Sequence, residues 1–411
     1  MKRTDDRVID ITPDVKWIGI LDYDILTFDI VMTTEYGTTY NSFFINATKK
    51  ALVEVAKEKF WNVYIEKLQT VCDPSEIEYI ILDHTEPDHS GSLGHLLELA
   101  PEAIVVGSGN AIRYLGDIVN KPFRSMVVKD GDTLDLGNKI LRFISAPNLH
   151  WPDSIYTYLV EDKVLFTCDS FGAHYCTGNI FSELTPDYLN AFRYYFDVIL
   201  KPFSRYMVRA IEKTKPLEIN VICPGHGPVH RDTICEIIAL TEKLSDEYLK
   251  LTAGGKVKRV LIAWVSAYGF TGRAAEFIAQ GIRSESGYVT DVTDIENIAP
   301  AELDQKLAAA DAILVGSPTI NQNTLLPVYT LFALINPLRD RGKVAGAFGS
   351  YGWSGEAPKI ILDNLRNLKL KTFEETAGFK FAPDGDKKEN LVAFGRKFAI
   401  KVAGESSREE K

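Results

Sequence analysis

The stretch His84-Thr85-Glu86-Pro87-Asp88-His89 limits what this chain can fold into more than any other feature. Four side chains with nitrogen or oxygen donors (His84, Glu86, Asp88 and His89) stand directly after the apolar run Tyr79-Ile80-Ile81-Leu82. Such a run predicts a buried strand, which places the donors in a loop at its C-terminal end. Pro87 argues against a helix there, and a loop can turn all four donors toward a borderline or hard metal. A polar surface turn uses the same residue types, but it would not explain why the rest of the sequence repeats the arrangement.

Three further apolar runs end on donors. Ile140-Leu141-Arg142-Phe143-Ile144 leads through Pro147 to His150, Val164-Leu165-Phe166-Thr167-Cys168 leads to Asp169, and Ile219-Asn220-Val221-Ile222-Cys223 leads to His226. Only seven histidines occur in the chain, and four of them fall in this constellation. Seven donors are too many for one tetrahedral site and suit two metals sharing a bridging carboxylate. Of the remaining histidines, His95 lies in a helix expected over 92–100 and reads as structural. His230, after Pro228, reads as a surface residue. His174, five residues past Asp169, is a candidate proton donor or hydrogen-bond partner beside the metals. Tyr195 is a second candidate for that role, although it and Trp151 could equally be core aromatics. Cys168 reads as a small buried hydrophobe rather than a ligand.

Size and charge set the outer bounds. At 411 residues the chain exceeds the length at which one core usually keeps growing, so two domains are expected. A formal charge of −10 disfavours a general nucleic-acid or anionic-membrane role. Five scattered cysteines without a Cys-x-x-Cys pair predict free thiols in a reducing compartment. Met1 to Asp6 lacks the apolar core of a signal peptide and no apolar stretch reaches 18 residues, so a cytoplasmic location is expected.

Strand-like alternation over 8–48, a helix near 57–69, and hairpins over 123–170 predict two packed sheets flanked by helices, an αββα sandwich. An amphipathic helix over 232–253 ends at Gly254-Gly255, which predicts a domain covering 1–253, a second covering 254–403 and a frayed tail over 404–411. The second domain alternates strands and helices, the pattern of a doubly wound parallel sheet that binds ligands beyond its strand C-termini. Three loops fall at such ends: Ser266-Ala267-Tyr268-Gly269-Phe270-Thr271, Ser317-Pro318-Thr319-Ile320-Asn321 and Ser350-Tyr351-Gly352-Trp353-Ser354-Gly355. The first precedes a helix expected near Arg273 and forms an anion site suited to phosphate. It is neither a Walker A loop nor GxGxxG, so no dinucleotide is indicated. Together the loops describe a phosphorylated planar ligand, with Tyr351 and Trp353 as ring neighbours. Their lack of basic residues fits binding by neutral donors.

The first half resembles the metallo-β-lactamase superfamily, with Glu86 where its hydrolases carry histidine in H-x-H-x-D-H, and the second half resembles flavodoxin. Domain order and Glu86 together make the whole chain similar to the flavodiiron proteins (A-type flavoproteins). That resemblance implies two irons with a bridging oxygen species, and FMN. It makes His84, Glu86 and His150 ligands of one iron, Asp88, His89 and His226 ligands of the other, and Asp169 the bridge. It further implies reduction of O2 to water, of NO to N2O, or of both. No fused rubredoxin module, with its two Cys-x-x-Cys pairs, is expected, so electrons should come from a separate donor: rubredoxin, a reduced deazaflavin cofactor or a flavin reductase. It implies a head-to-tail homodimer, or a dimer of such dimers, that brings one subunit's flavin beside the other's irons. The alternatives are a metal-dependent hydrolase and a non-catalytic electron-transfer flavoprotein. Glu86 and the flavodoxin-like half speak against the first, and the intact donor set against the second.

Overall fold

A computed structural model describes residues 6–28, 32–253, 255 and 257–409. Readings made on Met1 to Asp5, Asp29 to Val31, Gly254, Lys256, Glu410 and Lys411 lie outside the described residues. The chain divides into two compact units, Met1–Tyr248 and Leu249–Lys411.

The first unit is layered because its strands are apolar on both faces. Seven strands form one sheet in chain order: Ile9–Asp10, Val15–Trp17, Phe43–Ile45, Lys50–Val53, Ile77–Ile81, Ile104–Gly107 and Arg124–Val127. Five form the other: Thr133–Asp135, Ile140–Ser145, Ile155–Leu159, Val164–Cys168 and Val221–Pro224. Successive side chains point to opposite faces of a strand. Thus Phe43, Ile81 and Phe166 fill the space between the sheets. Their neighbours Phe44 and Ile80 pack on the helices Trp61–Gln69, Leu93–Leu99 and Gly109–Val119, and Leu165 packs on Pro186–Tyr195 and Ser204–Thr214. The result is the expected αββα sandwich. Phe166→Ala, at a fully buried inter-sheet position, is expected to cost about 3–5 kcal/mol in a urea unfolding titration.

The second unit carries a parallel sheet ordered Tyr288–Asp294, Lys258–Trp264, Ala312–Gly316, Val344–Tyr351, with Lys371–Thr372 and Ala377–Lys380 both pairing with the last. In chain order this is the flavodoxin-like sequence 2-1-3-4-5. Helices cover both faces, with Leu261, Ala263 and Val315 in one core and Val260, Ile262 and Leu314 in the other.

Three expectations need correction. Pro87 does not exclude a helix: Pro87–Ser90 forms one helical turn with the proline in the first turn, where its missing N–H removes no helical bond. The helix after the first loop of the second unit starts at Phe270, not near Arg273. The last helix runs from Asp386 to Glu409, into the segment expected to fray. No helix among the described residues is long and apolar enough to cross a membrane.

Candidate metal centre

The strands Ile140–Ser145 and Val164–Cys168 both pair antiparallel with Ile155–Leu159, and Val221–Pro224 runs parallel to Val164–Cys168. All three donor-bearing strands of the five-stranded sheet therefore end on one edge. Ile77–Ile81 ends there too, since the Asp83 carbonyl accepts from the Ile155 N–H at 2.9 Å. The seven donors expected from the sequence accordingly meet in space.

They form two groups. In the first, Glu86 Oε2 lies 3.0 Å from His150 Nε2 and 3.3 Å from His84 Nε2, while Asp169 Oδ2 lies 3.3 and 3.5 Å from the same nitrogens. In the second, Asp88 Oδ2 lies 3.0 Å from His226 Nε2 and 3.6 Å from His89 Nε2. Asp169 Oδ1 faces that pair at 3.6 and 3.2 Å. Each Asp169 oxygen thus serves one group.

These spacings fit a cation within each group. A metal with bonds of about 2.1 Å places its ligands roughly 3.0–3.4 Å apart in octahedral or tetrahedral geometry. Proton placement agrees. The Thr39 carbonyl can only accept, so His226 Nδ1 (2.6 Å away) carries the proton and Nε2 presents a lone pair. Asp153 does the same for His84, with Oδ2 3.1 Å from Nδ1 and 2.8 Å from both the N–H and the hydroxyl of Thr85. Asp88 Oδ1 and Oδ2, Asp169 Oδ2 and His89 Nε2 are buried without a hydrogen bond, the state of groups that belong on an ion. Two carboxylates and imidazoles in each group match iron at least as well as zinc.

The same crowding shifts the titration of these groups. Burial opposes the ionised form of Glu86, but the neighbouring imidazoles of His150 and His84 outweigh it and bring its carboxyl down to about 2. Burial opposes the charge of His150 as well, yet Asp169 and Glu86 lift it to about 9. Asp169 and Asp88 are likewise held below the carboxylate range despite burial, by His150 and His89 for the first and by His89 and His226 for the second. Glu54 and Asp83, buried nearby, are pushed well up by desolvation.

His174 and Tyr195 border the second group. Tyr195 donates to Asp169 Oδ1 at 3.1 Å, and burial raises its pKa well above the usual value. His174 Nδ1 lies 2.9 Å from the Thr38 hydroxyl, and burial together with His226 depresses the ring to about 3. Its Nε2 has no hydrogen-bond partner. Trp151 stands edge-on to His84 at 5.1 Å. His95 lies apart, paired with Glu58 and stacked on Trp61.

His230 is not a surface residue. Its backbone pairs with Ile222 in both directions, which draws the ring inside, where Nε2 donates to the Phe171 carbonyl at 2.9 Å and Nδ1 meets the Ser182 hydroxyl at 3.0 Å. Burial depresses it to about 4. Because the folded pKa lies below the unfolded value of about 6.5, the unfolded chain binds the extra proton and stability falls as pH drops from about 6.5 toward 4. That contribution is at most about 3 kcal/mol. Urea titrations at pH 7 and pH 4.5 are expected to show a smaller pH-dependent loss in His230→Gln than in the parent.

Glu54, Asp153, Thr38 and Thr39 were not anticipated as neighbours of the site. Glu54 carried a usable signal, since Ala51-Leu52-Val53-Glu54 is also an apolar run ending on a donor.

The three loops of the second unit also converge. Gly269, at φ 77°, turns the chain into the helix Phe270–Arg283 through a left-handed conformation that suits glycine. Ser266 Oγ accepts from the Thr271 N–H at 3.2 Å, and the Thr271 and Ser350 hydroxyls are 3.0 Å apart. The Thr319 N–H donates to the Ser350 carbonyl at 2.8 Å, which joins the middle loop to the third. Ala267, Tyr268, Ile320, Asn321, Trp353 and Gly355 are exposed, with Tyr351, Gly352 and Ser354 half-buried between them. Hydroxyls around a helix N-terminus with aromatic residues at the rim fit a phosphate-bearing planar ring.

Known proteins agree on both halves. Residues 38–227 match the model of the ODP family beta lactamases, and residues 262–395 match that of flavodoxins. The chain is 39% identical over 401 residues to "Flavo-diiron protein FprA2" of Clostridium acetobutylicum, covering 96% of this chain and 99% of that one. It is 34% identical to "Type A flavoprotein fprA" of Rhodobacter capsulatus, covering 97% and 93%. Among solved structures, rubredoxin oxygen:oxidoreductase of Desulfovibrio gigas superposes with a TM-score of 0.69 at 26% identity, covering 97% of this chain and 99% of that one. The flavodiiron protein of Giardia intestinalis does so with a TM-score of 0.67 at 28% identity, covering 98% of each. Two metal groups in a lactamase-type sandwich, followed by a flavodoxin-type sheet and matched over almost the full chain, place this protein in the flavodiiron family of oxidoreductases, with a diiron site and FMN as its cofactors.

Proposed function

We propose that the protein reduces O2 to water, NO to N2O, or both, with electrons from an external donor passing through FMN in residues 254–403 to two irons in residues 1–253. In this reading His84, Glu86 and His150 hold one iron, Asp88, His89 and His226 hold the other, and Asp169 bridges them. The observation that carries it is the division of Asp169, with Oδ2 3.3 Å from His150 of the first group and Oδ1 3.2 Å from His89 of the second. When bound, the iron pair and FMN together supply four reducing equivalents, as many as the conversion of one O2 to two waters consumes and twice what two NO need to give N2O.

The chain's own residues position groups and hold protons. Glu86, Asp88 and Asp169 stay ionised near neutrality and balance cationic charge in a buried site. The Tyr195 hydroxyl keeps its proton and fixes Asp169 Oδ1. His174 stays neutral and offers Nε2 as a hydrogen-bond partner beside the second group while Thr38 holds the other ring nitrogen. Phe28 packs 4.4 Å from His174 and 5.3 Å from His226 and keeps water off their faces. In the second unit, Ser266, Thr271 and the N-terminus of Phe270–Arg283 would hold the FMN phosphate, with the loops 317–321 and 350–355 beside the ring.

Rubredoxin, a reduced deazaflavin cofactor or a flavin reductase would serve as donor. A head-to-tail homodimer, alone or paired, would carry electrons between subunits, and a catalytically active monomer in light scattering would contradict that. The activity itself is tested by mixing anaerobically purified, chemically reduced protein with O2 or NO. Consumption of either gas without accumulated peroxide is expected. No consumption of either by protein carrying two irons and one FMN would overturn the proposal.

A further inference from the structure

We propose that Asn41, oriented by Trp17, is a positioning residue for the second metal group: it fixes the backbone turn that carries His226, and so the place where that imidazole meets a metal. The inference rests on reading Asp88, His89 and His226 as iron ligands.

The turn Pro224-Gly225-His226-Gly227 follows the strand Val221–Pro224 without leaving the interior, and all four residues are buried. A buried turn has no water for its carbonyls, so other parts of the chain must supply the donors. Asn41, between the strands Thr38–Tyr40 and Phe43–Ile45 and only 1% exposed, reaches three of them. Its backbone N–H donates to the Gly225 carbonyl at 2.9 Å, and its side-chain NH2 donates to the Pro224 and Gly227 carbonyls, each at 2.8 Å. Thr39 completes the grip, its hydroxyl accepting from the Gly227 N–H at 2.7 Å and its carbonyl facing His226 Nδ1. Thr39 thus holds the ring, while Asn41 holds the backbone on both sides of it.

The amide can do this in one orientation only. Trp17 Nε1 lies 2.9 Å from Asn41 Oδ1, and an indole N–H can only donate. The oxygen therefore faces Trp17, and the NH2 faces the two carbonyls. The indole is fixed in turn. A Cβ at Gly19 would stand 2.7 Å from Trp17 Nε1 and 2.9 Å from Asn41 Cα, so the missing side chain is what lets the two residues meet. Lys67, buried in the helix Trp61–Gln69, places Nζ 4.0 Å from the indole centroid and donates to the Gly19 carbonyl, which clamps the ring from a third element. Metal ligands must be held to within about 0.5 Å, and this support leaves His226 Nε2 3.0 Å from Asp88 Oδ2.

The test is an anaerobic titration of metal-free protein with ferrous iron against a chromophoric chelator, read as two affinities. Asn41→Asp keeps an acceptor for Trp17 but turns an oxygen toward the Pro224 and Gly227 carbonyls. One iron is expected to bind about 10- to 100-fold more weakly, the other unchanged. In a His226→Ala background the same substitution is expected to add no loss. Equal weakening of both irons, the same loss in both backgrounds, or unchanged affinities would each overturn the inference, the first two by showing that Asn41 serves the fold alone. Trp17→Phe leaves the NH2 in place but frees the amide to turn, and it is expected to weaken the same single iron. It carries the test if Asn41→Asp does not fold, and an unchanged pair of affinities there would equally overturn the inference. Failure of the parent protein to take up two irons would instead remove the reading beneath it.

Discussion

Asp169→Ala is expected to remove both metals in one step. The two oxygens of Asp169 are divided between the groups, so the substitution deletes one donor from each at once. It also leaves His84, His89, His150 and His226 without the carboxylate all four face. Even a group that only touches a metal ligand changes affinity by about 10- to 100-fold, so loss of a shared ligand should exceed about 100-fold at each iron. Iron analysis after desalting should fall well below one per chain, and gas consumption should follow it. FMN content should not change, because its loops belong to the other unit. Retention of one tightly held iron would show that the two groups are independent and that Asp169 does not bridge.

Asp153→Asn tests the other side of His84 and is the second largest expected effect. A single oxygen, Oδ2, takes the Thr85 N–H, the Thr85 hydroxyl and the His84 Nδ1 proton. An amide whose oxygen takes the place of Oδ2 keeps the three bonds without the negative charge that holds the His84 proton, and it buries an NH2 where Oδ1 has no hydrogen-bond partner. If the amide nitrogen faces His84, the ring must accept at Nδ1 and carries its proton at Nε2, toward Glu86 and Asp169. The iron of the first group is expected to bind about 10- to 100-fold more weakly. Folding stability should fall by about 1–3 kcal/mol from the buried group left unpaired, since Asp153 is fully buried. Ferrous titration and urea unfolding of the metal-free protein read the two effects separately. A stability loss with unchanged iron affinity would mean that Asp153 only holds the loop together.

The sequence made some of this site readable and hid the rest for physical reasons. Strand ends were readable because an apolar run of four to five residues stops where its backbone leaves the sheet, and a donor placed there must lie on the sheet edge. That rule brought His84, His150, Asp169 and His226 together without any knowledge of pairing. Direction was not readable: that Ile140–Ser145 and Val164–Cys168 point the same way follows from the antiparallel strand between them. Pro87 misled because proline forbids a helix interior and suits a first turn, and a four-residue helix has little else. His230 was misplaced because Pro224 to Pro228 reads as a turn that leaves the sheet, whereas the chain doubles back at once and His230 pairs with Ile222, the strand residue just before that turn. Asp153 meets a ring nitrogen rather than a metal, and nothing in its immediate neighbours announces a partner 69 residues away, as His84 is. In the second unit the order of loops was legible, whereas the contact between Thr271 and Ser350 depends on the parallel register of the sheet.

Diffraction from crystals of the anaerobically purified protein, collected at the iron absorption edge, tests the central claim most directly. Two anomalous peaks about 3.5–4 Å apart are expected, one among His84, Glu86 and His150 and the other among Asp88, His89 and His226, with the Asp169 carboxylate spanning them. A single peak, or two peaks that Asp169 does not span, would contradict it.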